Sequence, residues 1–211
     1  LVELFAITVA IISAIVAWHT FALAKNQFLL LLGCGYFFIG ALDLVHMLTF
    51  KGLPFVDNNT GNMSLQFWIT ARLFEASILL IAPLFIRVGF RPRNLIIILA
   101  STVLLLCWAI VQNWLPAFYI EGKGLTLSKI ILEYVVIILL IGALFTFWQA
   151  KQEIETSNLI LISSAIILTI FAEYSLTLYD EFDDGMIILG HMLKLLSYWA
   201  IYVVLIESSL R

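Results

Sequence analysis

Charge is what this chain has least of. Only 12% of its 211 residues are charged and 63% are hydrophobic, where a soluble domain carries about a quarter charged residues and about half apolar ones. With a mean hydropathy of +1.09, that balance excludes a water-soluble globular protein and points to an integral membrane protein. Lys and Arg total 11 and form no cluster, which excludes a nucleic-acid-binding surface and a polybasic lipid patch. Cysteine is scarce too. Cys34 and Cys107 both lie inside apolar runs, at depths that differ by roughly 10 Å for helices rising about 1.5 Å per residue. They are expected to pack as thiols, since a disulfide does not reach that far. There is no His-x-x-x-His, no internal repeat and no heptad array. Matched pairs of broken helices are also missing, which weighs against a secondary transporter.

What is present is a series of long apolar runs. Seven of them, at 2–24, 28–50, 65–87, 94–114, 127–150, 157–179 and 185–207, reach the length of about 20 residues that a membrane-spanning helix needs. Their length decides for helices over buried strands. The expected fold class is therefore all-α integral membrane, a seven-transmembrane helix bundle forming one domain over residues 1–211. Turn formers mark the connections, with the richest stretch between Gly52 and Asn62 and a purely acidic one from Asp180 to Asp184. Pro92 is well placed to open the fourth helix.

Orientation follows from the basic residues of the short connections. With the N-terminus outside, the cytoplasmic ends carry Lys25, Arg87, Arg91, Arg93, Lys151 and Arg211, and the outer ends only Lys51 and Lys123. The C-terminus is then cytoplasmic. The chain opens on Leu1-Val2-Glu3 without Met or a basic leader, and its last run continues through Glu207 with no Gly or Pro stop. It reads as a piece of a longer protein whose first run is a true span.

Ionisable groups at membrane depth are costly and mark function when they occur. Here they gather in one half. The second run places Asp43 and His46 three residues apart, on one helical face with Gly33, Tyr36 and Gly40, so that a neighbouring helix or a ligand can come close. In the proposed topology these lie in the outer half, together with Gln66, Arg72 and Glu75 of run three, Lys129 and Glu133 of run five, Glu173 of run six, and His191 and Lys194 of run seven. The inner half has only His19, which is expected to be a hydrogen-bonded core residue. The simplest arrangement is a polar chamber open to the outside. Its candidate ligand-binding residues are Asp43, His46, Gln66, Arg72, Glu75, Glu173, His191 and Lys194. Arg72 is the most informative, because a buried guanidinium needs carboxylates and presents a planar fork to an anion. Lys129 and Glu133 are expected to neutralise each other along one helix. His46, His191 and Asp43 form a candidate metal set, and the two imidazoles a candidate axial pair for haem. Aromatic residues at this level (Phe50, Phe67, Trp68, Phe74, Tyr174, Tyr198 and Trp199) suit core, interfacial belt or an apolar pocket wall.

Three stretches resemble the third family of bacterial membrane-associated sensor domains, the MASE-type input modules. They are Leu42-Asp43-Leu-Val-His46 with Lys51-Gly52, Gln66-Phe-Trp68 through Ala71-Arg72 to Glu75, and Gly190-His191-Met-Leu-Lys194 followed by Tyr198 to Tyr202. Phe50 stands where the resemblance places a tyrosine. The resemblance spans nearly the whole chain. It implies a sensory module in the bacterial inner membrane, fused to a cytoplasmic output domain: a diguanylate cyclase or phosphodiesterase of cyclic-di-GMP signalling, or a histidine kinase of a two-component system. Such outputs act in pairs, which implies a homodimer.

The leading expectation is thus a non-enzymatic sensor domain that binds a small ligand or metal ion in the chamber and relays the event through helix seven. One alternative is an intramembrane zinc-dependent hydrolase, opposed by Arg72 and Lys194 beside any divalent metal. Another is a haem or quinone redox sensor. A channel is disfavoured because the inner half has no polar path.

Overall fold

The apolar runs fold into helices close to the expected bounds. In a computed structural model that describes residues 2–50, 61–178 and 185–209, the helices are α1 (Val2–Ala24), α2 (Gln27–Leu48), α3 (Asn62–Ile81), α4 (Pro92–Val111), α5 (Leu127–Gln149), α6 (Thr156–Thr177) and α7 (Gly185–Ser209). Lys51, most of the connection from Gly52 to Asn62, the Asp180–Asp184 stretch and Arg211 lie outside the described residues. All seven helices are long and apolar enough to cross a membrane, and among the described residues the fold is all-helical apart from one small hairpin.

Local chemistry sets the ends. Asn26 caps α2 by accepting from the Leu29 amide at 3.1 Å, and the Thr126 hydroxyl accepts from Lys129 N at 3.4 Å to start α5. Pro92 is the first residue of α4, where its missing N–H costs nothing. The third apolar run does not continue as an α-helix to residue 87. Pro83 cannot donate to the carbonyl four residues back, and the chain tightens into a 3₁₀ turn over Ala82–Ile86.

The helices close into a ring in the order α1, α2, α3, α5, α6, α7 and back to α1, with α4 outside against α2 and α3. The most enclosed helices are α2 and α3. The tightest approach is between α1 and α2, where a Cβ built on Gly33 would lie 2.2 Å from the Ala17 Cβ and 3.1 Å from the Ser13 carbonyl. That is the close contact expected for small residues on this face.

Between α4 and α5 the chain forms a short antiparallel hairpin, β1 (Tyr119–Ile120) with β2 (Gly124–Leu125), pairing Tyr119 with Leu125 and Ile120 with Gly124. Gly122 and Gly124 take φ near +80°, which only glycine adopts readily. Fully buried Phe118 joins Leu65, Trp68, Ile69 and Leu176 in a small apolar cluster beneath the hairpin. The Asn62 side chain accepts from the amides of Phe118 and Tyr119 at 2.7 and 3.1 Å.

At the opposite end of the bundle, Arg87 and Glu153 form a doubly hydrogen-bonded ion pair that ties the 3₁₀ turn to the α5–α6 connection. The hydrogen bonds from Arg87 hold the Glu153 carboxyl below its usual range. The pair is therefore present above the ordinary glutamate range and is lost as pH falls through the lowered value.

Candidate functional site

Alternating helix directions bring the C-terminal half of α2 and the end of α6 level with the first turns of α1, α3, α5 and α7. Most charged residues of the membrane-crossing helices meet there.

Arg72, 1% exposed, is the hub. Its Nη1 donates to Glu75, one turn along α3, and its Nη2 donates to both oxygens of Asp43 on α2, at 2.8 and 2.9 Å. Tyr198 of α7 accepts from Nη2 at 3.0 Å and donates to Asp43 Oδ2 at 2.9 Å. Tyr36 of α2 donates to Glu75 Oε1 at 3.0 Å and meets the Tyr198 ring edge-on, with centroids 5.2 Å apart. A guanidinium removed from water needs this many acceptors to offset its lost hydration.

Lys194 extends the network to α1. Its ammonium is 2.9 Å from Glu3 Oε2 and 3.2 Å from Asp43 Oδ2, and it lies over the Trp68 ring at 4.3 Å. Arg72 lies against the same indole at 4.9 Å, so Trp68 serves as a shared cation–π platform. His191 reaches Glu3 Oε1 with Nε2 at 3.2 Å, while its Nδ1 is 2.7 Å from the Ile187 carbonyl. His191, Lys194 and Tyr198 thus form one stripe of α7 aimed at acceptors on α1 and α2. His46 is held differently. Its Nδ1 lies 2.8 Å from the Ser64 carbonyl, and the Ser64 hydroxyl donates to the His46 carbonyl at 3.0 Å. Both imidazoles pack against Trp68, with centroids at 5.2 and 5.5 Å.

Beside the network is a cavity of about 170 Å³, walled by residues of α2, α3, α5, α6 and α7 together with Phe50, which follows α2. Lys129 and Glu133 lie on its wall and are paired at 2.7 Å within α5, both fully buried.

A family model describing a membrane-associated sensor domain, MASE3, matches residues 1–211. The chain belongs to this family of sensor domains. Neither a curated protein nor a solved structure matches it. Family and fold together describe a multi-pass membrane sensor domain in contact with the lipid bilayer.

The expected site residues in this sensor domain fall into three groups. Asp43, Arg72, Glu75, His191 and Lys194 are joined in one network, and His46 adjoins it through Trp68. Glu173 is buried at the same level, within electrostatic reach of Arg72, Glu75, Lys194 and Lys129. Gln66 is directed elsewhere: its amide donates to the carbonyls of Pro116 and Leu115 at 3.1 and 3.4 Å, fastening the segment before the hairpin to α3. Replacing Gln66 by Leu leaves both carbonyls without that donor. It is expected to lower stability by about 1–3 kcal/mol, measured by unfolding in mixed micelles.

Other expectations are corrected. His19 is an exposed residue of α1, not a core residue. Lys194 is buried between carboxylates, as its place in the chamber required. Among the described residues no three His, Cys, Asp or Glu side chains converge as metal ligands. Asp43 is engaged by Arg72, Lys194 and Tyr198. The two imidazoles share Trp68 as a neighbour, and His191 Nε2 is turned to Glu3, so the zinc and haem readings draw no support from this geometry.

Four residues went unrecognised as site residues. Glu3 sits in the first turn of α1 at the right depth, a signal masked by its place at the start of the chain. Tyr36 and Tyr198 read as helix-face and pocket-wall aromatics, and only their hydroxyl partners make them members of the network. Ser64 left no signal at all.

Proposed function

We propose that the chain is a single signal-input domain of the bacterial inner membrane, with its N-terminus outside and its C-terminus cytoplasmic. A small ligand binds at the cavity and polar network in the outer half. The event passes along α7 to a fused cytoplasmic output domain, a diguanylate cyclase, phosphodiesterase or histidine kinase working as a homodimer. The site has a sensing role and no catalytic one.

The observation that carries this reading is the way α7 is held. Three of its side chains, His191, Lys194 and Tyr198, are tied to Glu3, Asp43 and Arg72 on three other helices, and none of these ties is within α7 itself. A ligand that competes for Glu3 or Asp43 changes which partners α7 keeps, and so shifts or turns the helix that leads to the C-terminus. Such a ligand acts only as far as it binds the two packings with different affinity. The excess of basic residues in the connections at the opposite end supports the orientation.

The test uses the full-length protein in its own membrane. His46→Ala and His191→Ala each leave the network's arginine hub in place but remove a ring from the cavity wall. Output activity is expected to lose its dependence on the stimulus in both variants. Normal stimulation in both rejects the site.

A further inference from the structure

The cavity beside the network has a chemical bias, and following it deepens the sensor reading on which it rests. Its apolar wall includes Leu65, Trp68, Leu176 and Ile187. Its polar wall is rich in acceptors. Glu133 is fully buried, and its Oε2 accepts no hydrogen bond among the described residues. Its counter-charge, the Lys129 ammonium 2.7 Å from Oε1, also donates to the Leu176 carbonyl at 2.7 Å, so one cation serves both a carboxylate and the end of α6. His46 has its Nδ1 committed to Ser64, and its Nε2 makes no hydrogen bond among the described residues.

Charge points the same way. The network and cavity together hold five carboxylates (Glu3, Asp43, Glu75, Glu133 and Glu173) against three fixed cations (Arg72, Lys129 and Lys194). With His191 also counted as a cation and His46 neutral, the carboxylates, when all are ionised, outnumber the cations by one. Glu173 is 1% exposed and its Oε2 also accepts no hydrogen bond among the described residues. An uncompensated buried charge is costly, and a ligand that supplies the missing positive charge is favoured here over a neutral or anionic one.

We propose that this cavity binds a small organic amine in its ammonium form. The N–H donors face Glu133, and a compact apolar body fills the space between Trp68 and Leu176. A cavity of about 150 Å³ takes a benzene molecule, so the volume here, about 170 Å³, suits an amine of that size. A bare metal ion has no set of three ligating side chains among the described residues and leaves the apolar wall unused.

The experiment measures binding of benzylammonium to the protein in lipid nanodiscs by calorimetry. Benzyl alcohol and benzoate serve as probes of the same shape and different charge. Benzylammonium is expected to bind at least about tenfold more tightly than either, the difference set by a hydrogen bond to a charged group. Glu133→Gln is expected to remove that preference. Leu176→Phe, which fills the apolar wall and leaves Glu133 in place, is expected to abolish binding, and it decides the matter if Glu133→Gln does not fold. Equal binding of benzyl alcohol, a preference that survives Glu133→Gln, or binding retained in Leu176→Phe overturns the proposal. A stimulus-dependent output that His46→Ala and His191→Ala abolish, in a protein with no preference for the ammonium, leaves the sensor reading standing and removes only the amine.

Discussion

Arg72→Met is expected to destabilise the domain by about 3–5 kcal/mol, the range for removing one member of a buried ionic cluster. The loss is large because the guanidinium serves several partners at once. Without it, Asp43 loses the Nη2 donor shared by its two oxygens, Glu75 keeps among the described residues the hydroxyl of Tyr36, and Tyr198 loses the donor that orients it. The carboxylates stay buried and charged with too little to offset them, and that residual charge is the main cost. Adding Asp43→Asn and Glu75→Gln to Arg72→Met removes the stranded charges and is expected to recover a large part of the loss. The substitutions are therefore strongly non-additive, as expected for residues sharing one network. Unfolding in mixed micelles measures it. Simple addition of the separate losses would show that the three side chains do not act as a unit.

Gly33→Ala is expected to lower stability by about 1–3 kcal/mol through overpacking. The new methyl would sit 2.2 Å from the Ala17 Cβ and 3.1 Å from the Ser13 carbonyl. Neither is the end of a flexible side chain, so α1 must move away from α2 as a body. The movement matters beyond packing, because α1 carries Glu3, the acceptor shared by His191 and Lys194. Prising the helices apart thus weakens the hold on α7 as well. Ala17→Gly in the same chain restores the space and is expected to return most of the stability, although Gly in a helix interior carries its own cost of roughly 1 kcal/mol. A Gly33→Ala variant as stable as the parent would show that α1 and α2 do not approach this closely.

The membrane helices were legible because the signal is one of length and composition. Bounds expected from the apolar runs differ from those observed by only a few residues at most ends, and the main exception, at Pro83, has a local cause in the missing N–H. The hairpin over Tyr119–Leu125 was not legible: its strands are two residues each, too short for alternation to appear, and its glycines read only as a turn. The depth argument located most of the site. A helix rises by a fixed amount per residue, so residue number converts to depth, and Asp43, Arg72, Glu75, Glu173, His191 and Lys194 fell at one level.

Direction around the helix was harder to read. Gln66 and Arg72 share α3 and a similar depth, yet one fastens a loop and the other holds the ionic hub. His19 lay on an apolar helix like His46 but faces outward. Depth follows from counting along one helix, whereas facing depends on which neighbour each helix meets.

From its sequence alone this protein was bound to be a seven-helix membrane domain with its ionisable residues gathered towards one end, because burying backbone and charge in hydrocarbon admits few other arrangements. Only the tertiary structure decided which charges pair. The order α1, α2, α3, α5, α6, α7 around the ring brings Glu3 against Lys194 and Asp43 between Arg72 and Lys194, contacts between residues far apart in the chain. Coulomb attraction acts between neighbours in space, and helix packing is what makes them neighbours.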